Sequence, residues 1–267
     1  MRLRLFIVLA VLALLPLGCS GSSNPCSGSA ASPRCTRVLF VGNSYTYVNN
    51  LPNVFAGLAA SGGHQVATGM LATGGATLAD HVRDPATATT LTSTSWNAVV
   101  LQEQSEIPSS GTLWQSQMYP AAAQLVGMVR QAGAVPILFL TWAHREGWPE
   151  TGLLDYRSMQ EAIDGGYLAV ARRQDVSTAP VGLAWSALLG RTPQADLWQD
   201  DGSHPTLEGT YLAACVFYAT IFGQSPRGLT YLDGLSDDTA AEAQEVAADV
   251  VLGDPTLWVA RLSGAAA

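Results

Sequence analysis

Residues 38–47 read VLFVGNSYTY, a short apolar run followed by a turn signal. The four residues from Val38 to Val41 are aliphatic or aromatic, which is typical of a buried strand. Gly42 and Asn43 tolerate unusual backbone angles, so we expect a sharp turn there. Ser44 therefore follows the carboxyl end of a buried strand, where open α/β sheets have their ligand crevice. Two interpretations remain open for this stretch alone: Ser44 caps a following helix, or it is a nucleophile beside a helix N-terminus that stabilises an oxyanion.

Strand-like and helix-like segments alternate through the rest of the chain. The predicted strands are 38–41, 65–71, 98–101, 135–140 and 179–183. The predicted helices are 51–61, 78–82, 119–132, 156–173, 207–222 and 238–252. Pro180 marks the fifth strand as an edge or a strand start. Continuous apolar strands that alternate with helices indicate an α/β fold, with a parallel sheet of about five strands between two helical layers, in one domain over residues 36–267.

Composition limits the classes of function. The chain has 267 residues, of which 48% are hydrophobic and 13% charged, which suits one globular domain with a sizeable core. The net charge is −8, the isoelectric point is near 4.8 and no cluster of basic residues occurs, which argues against nucleic acid as a partner. The cysteine spacing is not that of a zinc or haem site.

The first nineteen residues have the pattern of a targeting segment. Arg2 and Arg4 precede an apolar run over residues 5–15 that is too short to span a bilayer comfortably. Leu17-Gly18-Cys19 then resembles the lipobox of bacterial lipoproteins, although Pro16 stands where that pattern usually has leucine. The resemblance implies a lipid at Cys19, with ordinary secretion as the alternative. Ser20 is not the aspartate that retains lipoproteins at the inner membrane, so the expected location is the outer membrane or the cell surface.

Residues 20–35 are rich in Ser, Gly and Ala, and they predict a flexible tether between the lipid and the domain. Cys26 and Cys35 flank part of this segment, and in an exported protein they are a plausible disulfide. Cys215 lies in an apolar, helix-like segment and is expected to be a buried free thiol.

A second group of polar residues precedes the helix over 207–222. Asp201 and His204 are three residues apart in the run DDGSHP. A serine nucleophile needs an imidazole to accept its proton, and that imidazole needs an acceptor for its other nitrogen. Asp201 and His204 can supply both groups, while the alternative is that they only cap the following helix. His144, which follows the fourth strand, is the rival base.

Two further loops follow predicted strands. Gly74 and Gly75 come after the second strand, where a glycine lets a backbone N–H approach a ligand closely or simply forms a turn. Gln102, Glu103 and Gln104 follow the third strand. A side-chain amide at such a position can donate to a developing oxyanion, and the alternative is an ordinary polar loop, with Glu103 either supporting the site or contacting the substrate.

These four blocks, in this order, resemble the SGNH/GDSL hydrolase superfamily. The stretch LWQDDGSHPTLEGTYLAACVFYATIFG is similar to the last block of a bacterial branch whose first block often reads GNS. The resemblance implies a flavodoxin-like α/β/α fold and hydrolysis of esters, among them O-acetylated carbohydrates, lipids and thioesters. It implies no cofactor, no metal, and a small-molecule or glycan ester as the substrate.

Carried over by position, the resemblance assigns a role to each block. Ser44 would be the nucleophile, with its own N–H and that of Gly75 as two arms of the oxyanion hole. His204 would act as base and then acid, and Asp201 would orient it. Gln104 falls at the position of the third donor.

The chain departs from the family pattern at two positions. Asn43 stands where the family usually has aspartate, and we expect an amide to keep a neutral hydrogen bond in the turn. Gln104 stands where the family has asparagine, one methylene shorter, and Gln102 is the alternative donor.

The tryptophans at positions 142, 148, 185 and 198 fall near the predicted crevice, where they either stack on sugar rings or pack in the core. Two rivals to an esterase remain from the sequence. The altered third block allows a non-catalytic glycan-binding lipoprotein, and the Asp200–Asp201 pair with His204 allows a metal-dependent phosphate or sulfate ester hydrolase.

Overall fold

A single parallel sheet organises the chain, and the computed structural model describes Cys26 and residues 35–262. The strands run in the spatial order β2-β1-β3-β4-β5, and every neighbouring pair is parallel. This is the flavodoxin-like order, so the fold class expected from the sequence is confirmed. The strands are β1 (Cys35–Gly42), β2 (Gln65–Ala72), β3 (Ala98–Leu101), β4 (Val135–Phe139) and β5 (Ser177–Ala179).

Helices connect and cover the strands. The α-helices are α1 (Ser44–Tyr47), α2 (Leu51–Ser61), α3 (Leu78–Arg83), α4 (Pro85–Ser93), α5 (Gly111–Leu113), α6 (Tyr119–Gln131), α7 (Tyr156–Gln174), α8 (Val181–Arg191), α9 (Leu207–Phe222), α10 (Asp237–Leu252) and α11 (Pro255–Trp258). Short 3₁₀ turns occupy Val48–Asn50, Ile107–Ser109 and Pro149–Thr151, and a π-helical turn occupies Trp114–Met118. No helix in the described part of the chain is both long enough and apolar enough to cross a membrane.

Two hydrophobic clusters lie on opposite faces of the sheet because successive strand side chains point to opposite sides. Val38 and Phe40 of β1 belong to one cluster, which α2, α8, α9 and α10 cover. Leu39 and Val41 belong to the other, which α3, α4, α6 and α7 cover. With both faces covered, the central strands β3 and β4 and the second half of β1 are apolar, which is why these three strands could be predicted from continuous apolar runs.

The fifth strand differs from its prediction. The sequence predicts residues 179–183, but β5 spans Ser177–Ala179 and α8 begins at Val181. Pro180 stands between them as the residue before the helix, and β5 is an edge strand. The apolar run after Pro180 continues with helical spacing to Leu188, so a buried helix start resembles a strand in this short window.

The cysteines near the start of the domain are paired. Cys26 and Cys35 form a disulfide, and Cys35 is the first residue of β1 rather than the end of a tether. Cys215 is a free buried thiol in α9, as expected. The predicted targeting segment, with Cys19, and the rest of the predicted tether lie outside the described residues.

Candidate active site

The carboxyl ends of β1, β2 and β3 lie level with one another. Gly42 pairs with Ala72 across β1 and β2, and Val41 pairs with Leu101 across β1 and β3. The loops that follow these strands therefore start side by side at one edge of the sheet. This register brings together the polar blocks around Ser44, Gly75 and Gln104.

Ser44 is the first residue of α1, directly after the turn at Asn43. Asn43 accepts a hydrogen bond from the N–H of Tyr45 at 3.1 Å, so Asn43 rather than Ser44 caps the helix. Among the described residues, no hydrogen-bond partner is found for the Ser44 hydroxyl or for its backbone N–H. Both groups are half-buried at the surface of a pocket, where a bound carbonyl could reach them.

Asn43 also ties the serine turn to the two neighbouring loops. Its side-chain amide nitrogen donates to the carbonyl of Ala76 at 3.0 Å, and its side-chain oxygen accepts from the amide of Gln102 at 2.9 Å. An ionised aspartate at this position could not donate to Ala76. Both the nitrogen and the oxygen of the Asn43 side chain, which stands where the family usually has aspartate, therefore form hydrogen bonds.

Gly75 lies in a tight turn between β2 and α3. The N–H of Ala76 donates to the carbonyl of Thr73 at 3.0 Å, and Gly75 has a φ of +70°, as the third residue of a type II turn requires. No partner for the N–H of Gly75 is found within the described part of the chain. This N–H lines the same pocket as Ser44 and is a second donor for an oxyanion.

Gln102 and Gln104 have different environments. Gln102 is fully buried: its oxygen accepts from the N–H of Asn43 and the hydroxyl of Thr46, both at 2.9 Å, and its nitrogen donates to Asn43 and to the Glu103 carbonyl. A Cβ at Gly42 would lie 2.3 Å from that oxygen, so only glycine allows this approach. Gln102 thus holds the turn at Asn43 and lies outside the pocket lining.

Gln104 lines the pocket, and its side chain is oriented by the backbone. Its oxygen accepts from the N–H groups of Glu106 at 2.8 Å and Ile107 at 3.2 Å. Its nitrogen has only long contacts, 3.5 Å to Ser105 and 3.5 Å to Glu106. With the oxygen engaged, the amide nitrogen remains available as a donor, so the geometry favours Gln104 over Gln102 for that role.

Glu103 is buried and forms hydrogen bonds with the backbone of two of these loops. The side chain is 1% exposed, and one carboxylate oxygen accepts from the N–H of Gln104 at 2.8 Å and of Leu78 at 3.0 Å. The other oxygen has no hydrogen-bond partner among the described residues. Burial raises the pKa of Glu103 to about 7, against the opposing effect of the two N–H donors. Glu103 therefore joins the start of α3, just after the Gly75 turn, to the backbone of Gln104.

Asp201 and His204 form a hydrogen-bonded pair in the loop before α9. The Nδ1 of His204 lies 2.5 Å from one Asp201 oxygen, and the other oxygen accepts from the N–H groups of Ser203 and His204, both at 2.9 Å. Partial burial alone would raise the pKa of Asp201, but these hydrogen bonds outweigh it and lower the pKa to about 2. The ionised carboxylate keeps the proton on Nδ1 and leaves Nε2 of His204 free to accept one.

His144, the rival base, lies behind Ser105. Its Nε2 is 3.2 Å from the Ser105 hydroxyl, and within the described residues no carboxylate bonds to its ring. Burial lowers the pKa of His144, so the ring is neutral. Ser105 lines the pocket and His144 does not, which favours His204 as the base.

A buried aromatic stack supports the His204 loop. The rings of Tyr45 and Trp142 are parallel at 4.4 Å, and Trp142 stacks on Trp185 at 4.2 Å. The indole N–H of Trp142 donates to the Ser203 carbonyl at 2.9 Å, and the indole N–H of Trp198 donates to the backbone at position 143. Trp142, Trp185 and Trp198 are buried, so stacking on sugar rings is wrong for these three; Trp148 is half-buried and outside the pocket lining.

One pocket of about 370 Å³ collects these groups. Its walls come from Asn43, Ser44, Tyr45, Tyr47, Gly74, Gly75, Gln104, Ser105, Ser203 and His204. Sequence reasoning did not single out Tyr45, Tyr47, Ser105 or Ser203, although each lies within three residues of a predicted site residue. Tyr45 and Ser203, whose hydroxyls are 2.8 Å apart, connect the serine turn to the histidine loop. No group of three potential metal ligands was found among the described residues.

Comparison with solved structures places this architecture in a known superfamily. A protein assigned to the SGNH hydrolases, from Slackia heliotrinireducens, is 27% identical, with a TM-score of 0.61 over 70% of this chain and 98% of that one. The chain belongs to the SGNH/GDSL hydrolase superfamily. No protein-family model and no curated protein matches the sequence.

Two further solved structures share this fold at lower sequence identity. A DUF4886 family protein from Bacteroides uniformis is 19% identical, with a TM-score of 0.70 over 82% of this chain and 95% of that one. An acetyl-xylooligosaccharide esterase from a Geobacillus is 14% identical, with a TM-score of 0.52 over 70% and 94%. At these identities the likeness concerns the fold alone.

Proposed function

We propose that this protein is an exported serine ester hydrolase that removes small acyl groups, acetyl groups in particular, from a carbohydrate or another polar alcohol. The observation that carries the proposal is the common pocket of Ser44, Gly75, Gln104 and His204, with Asp201 bonded to His204. Nucleophile, base, orienting carboxylate and oxyanion donors come from four separate loops, and they meet at one edge of the sheet.

In the proposed reaction, Nε2 of His204 accepts the proton of the Ser44 hydroxyl as Oγ attacks the ester carbonyl. The N–H groups of Ser44 and Gly75 and the amide nitrogen of Gln104 stabilise the oxyanion. The C–O bond to the alcohol breaks, and His204 returns the proton to the departing alcohol. Water then attacks the acyl-enzyme with His204 again as the base, which releases the carboxylic acid and free Ser44.

The pocket lining supports a short acyl group and a polar alcohol. All ten lining residues are glycine, polar or tyrosine, and none is an aliphatic side chain that would hold a long acyl chain. Tyr47 is 40% exposed at the rim, where its ring can contact the alcohol part of the substrate. Long-chain lipids and acyl thioesters therefore fit this pocket less well than acetylated sugars.

A serine-directed fluorophosphonate tests the nucleophile. We expect mass spectrometry to find one adduct, on Ser44, and no adduct in Ser44→Ala. Labelling at another serine, or none in protein that hydrolyses p-nitrophenyl acetate, would contradict the proposal. A non-catalytic glycan-binding protein would hydrolyse no acetyl ester at all, and a metal-dependent phosphate or sulfate ester hydrolase would lose its activity to a chelator.

Chain-length preference tests the substrate class. We expect kcat/KM to fall along the p-nitrophenyl series from acetate to butyrate to octanoate, and acetylated sugars to be deacetylated. A rise toward octanoate would favour a lipid substrate and overturn the acetyl assignment while leaving Ser44 as the nucleophile.

Export and a lipid anchor at Cys19 are also part of the proposal. The support is the sequence pattern of residues 1–19 together with the Cys26–Cys35 disulfide, since disulfides persist in oxidising compartments. Mass spectrometry of the mature N-terminus checks it. We expect a lipid-modified Cys19 as the first residue, and an N-terminus at another residue without lipid would contradict it.

A further inference from the structure

A second, larger groove lies at the opposite edge of the sheet from the candidate active site. It has a volume of about 890 Å³ and is formed at the amino ends of β4 and β5, beside the end of α7 and the segment from Thr256 to Arg261. We call it the basic groove, after Arg130, Arg172 and Arg261 in its lining. Nothing in the esterase proposal uses it.

The three arginines of the basic groove differ from most others in the described chain. Carboxylates pair with the arginines at positions 83, 157, 191 and 227. Arg130, Arg172 and Arg261 are exposed, and none of them pairs with a carboxylate of the described residues, although Arg130 donates to the backbone carbonyls of Gln174 and Asp175. Asp175 is the one carboxylate in the lining. The groove is thus a locally basic site on a protein of net charge −8.

The apolar part of the groove suits an amphiphile. Leu257 is 59% exposed, and the partly buried Trp258 lies next to it in α11. Leu168 and Leu183 contribute to the walls. An exposed leucine and a partly buried tryptophan beside arginine side chains are typical of surfaces that lie in a bilayer interface.

The edge that carries the groove is also the edge where the domain is attached to the preceding chain. All strands are parallel, so β1 starts, at Cys35, on the same side as β4 and β5. The disulfide fixes Cys26 to that point. Cys26 is seven positions after Cys19 in the sequence. Even a fully extended chain spans only about 25 Å over that distance. A lipid at Cys19 would therefore hold this edge close to a membrane.

We propose that the basic groove docks on the surface of a bilayer that contains anionic phospholipids. The guanidinium groups of Arg130, Arg172 and Arg261 bind lipid phosphates, and Leu257 and Trp258 enter the interface between headgroups and acyl chains. Because the Ser44 pocket lies at the other edge of the sheet, it then faces away from the membrane. The substrate would be reached in the aqueous space, which agrees with a polar alcohol rather than a lipid of the anchoring bilayer.

The test measures vesicle binding without the lipid anchor. Both hydrophobic clusters lie within residues 35–262, so the chain from Ser20 onward retains the whole folded domain. This chain is sedimented with vesicles of phosphatidylglycerol and phosphatidylcholine, or of phosphatidylcholine alone. We expect binding to the anionic vesicles only, weakened by salt. At about 1 kcal/mol for each basic side chain near the surface, Arg172→Gln with Arg261→Gln should weaken it on the order of 30-fold.

Matched variants separate the basic groove from charge in general. Arg83→Gln with Arg157→Gln removes the same charge from exposed positions elsewhere and should leave vesicle binding unchanged. Leu257→Ser should weaken binding without changing the charge. Hydrolysis of p-nitrophenyl acetate in solution should be the same in all of these variants, so the docking proposal can fail without the esterase proposal failing.

Four results would overturn the docking proposal. They are equal binding to neutral and anionic vesicles, no binding to either, equal losses in the two double-arginine variants, and displacement of the protein from vesicles by millimolar inorganic phosphate at constant ionic strength. The last result would identify the groove as a site for a soluble anion instead.

Discussion

The pairing of Asp201 with His204 is the feature of the site that most directly implies proton transfer. One carboxylate oxygen binds the imidazole, and the other is held by two backbone N–H groups of the same loop. These hydrogen bonds orient the carboxylate, and they lower the pKa of Asp201 to about 2, which favours the ionised form at neutral pH. His204 is thereby held with Nε2 as its free nitrogen.

Asp201→Asn should therefore impair catalysis far more than folding. An amide at this position can present its NH₂ group to Nδ1 and favour the wrong tautomer, so we expect kcat to fall about 10²- to 10⁴-fold. Asp200→Asn removes a neighbouring exposed carboxylate and should leave kcat within about twofold. Steady-state kinetics on p-nitrophenyl acetate, with thermal unfolding of each variant, would check this. Equal effects of the two substitutions would contradict the assigned role.

Asn43 shows how a departure from the family pattern can be structural. The residue is 3% exposed, and it donates to Ala76 while it accepts from Tyr45 and Gln102. Asn43→Asp would bury a charge and place a carboxylate oxygen against the Ala76 carbonyl, so we expect a loss of about 1–3 kcal/mol in the free energy of unfolding. Urea denaturation measures it, with the exposed Asn53→Asp as the control. Unchanged stability would mean that the turn does not depend on the amide donor.

At the scale of elements, the site depends on where each strand ends. Gln102 and Gln104 are two residues apart, yet one is fully buried under the Asn43 turn and the other lines the pocket. Sequence alone left both as oxyanion donors because the choice depends on the path of the loop after β3. That path is set by hydrogen bonds to Asn43, Thr46, Glu106 and Ile107, none of which is visible as a pattern.

Alanine substitutions should separate the two glutamines. For Gln104→Ala we expect kcat to fall about 10²- to 10³-fold with little change in stability, because one oxyanion donor is lost. For Gln102→Ala we expect a loss on the order of 2 kcal/mol in stability, because buried donors at Asn43 and Thr46 lose their acceptor. Steady-state kinetics and urea denaturation of both variants measure these two losses. Full activity in Gln104→Ala would remove it from the oxyanion hole.

Some helices and strands could be predicted because their sequence signals are local. Strands β1, β3 and β4 are buried on both faces, and α2 and α9 end at glycines, so their signals are strong and local. Helix α4 was not predicted because its sequence, PATATTLTS, is rich in threonine, a weak helix former. The sequence predicts strand for the first turn of α8 because a short apolar window does not distinguish a buried helix start from a strand.

For the whole molecule, the parallel sheet separates two edges with different surface features. The carboxyl edge carries the Ser44 pocket, and the amino edge carries the disulfide and the basic groove. Ser44, Gly75 and Gln104 follow neighbouring parallel strands, so the sequence predicts that they meet at one edge. Their roles, and those of Asp201 and His204 before α9, come from the resemblance to the superfamily. The groove was not predictable, since its arginines come from α6, α7 and the end of the chain and no local motif unites them.

Glu103 should contribute to the pH dependence of the free energy of unfolding. Its ordinary pKa is 4.5 and its pKa in the folded protein is about 7. Between these values the unfolded chain has released the proton while the folded chain keeps it, so this group makes stability fall as pH rises from about 4.5 to 7, by on the order of 3 kcal/mol. Asp201 acts in the opposite sense, since its lowered pKa favours folding above about pH 4 and that contribution is lost only as pH falls toward 2.

Glu103→Gln isolates this contribution. The amide oxygen can still accept from Leu78 and Gln104, and the titration disappears, so the stability of the variant relative to the parent should rise between pH 5.5 and pH 7 and then level off. Urea denaturation at several pH values measures the difference, and the exposed Glu150→Gln should run parallel to the parent. A Glu103→Gln curve that also ran parallel would show that the carboxyl group is ionised in the folded protein throughout this range. In that case the two N–H donors would outweigh burial, and Glu103 would hold the Gly75 and Gln104 loops as a permanent anion.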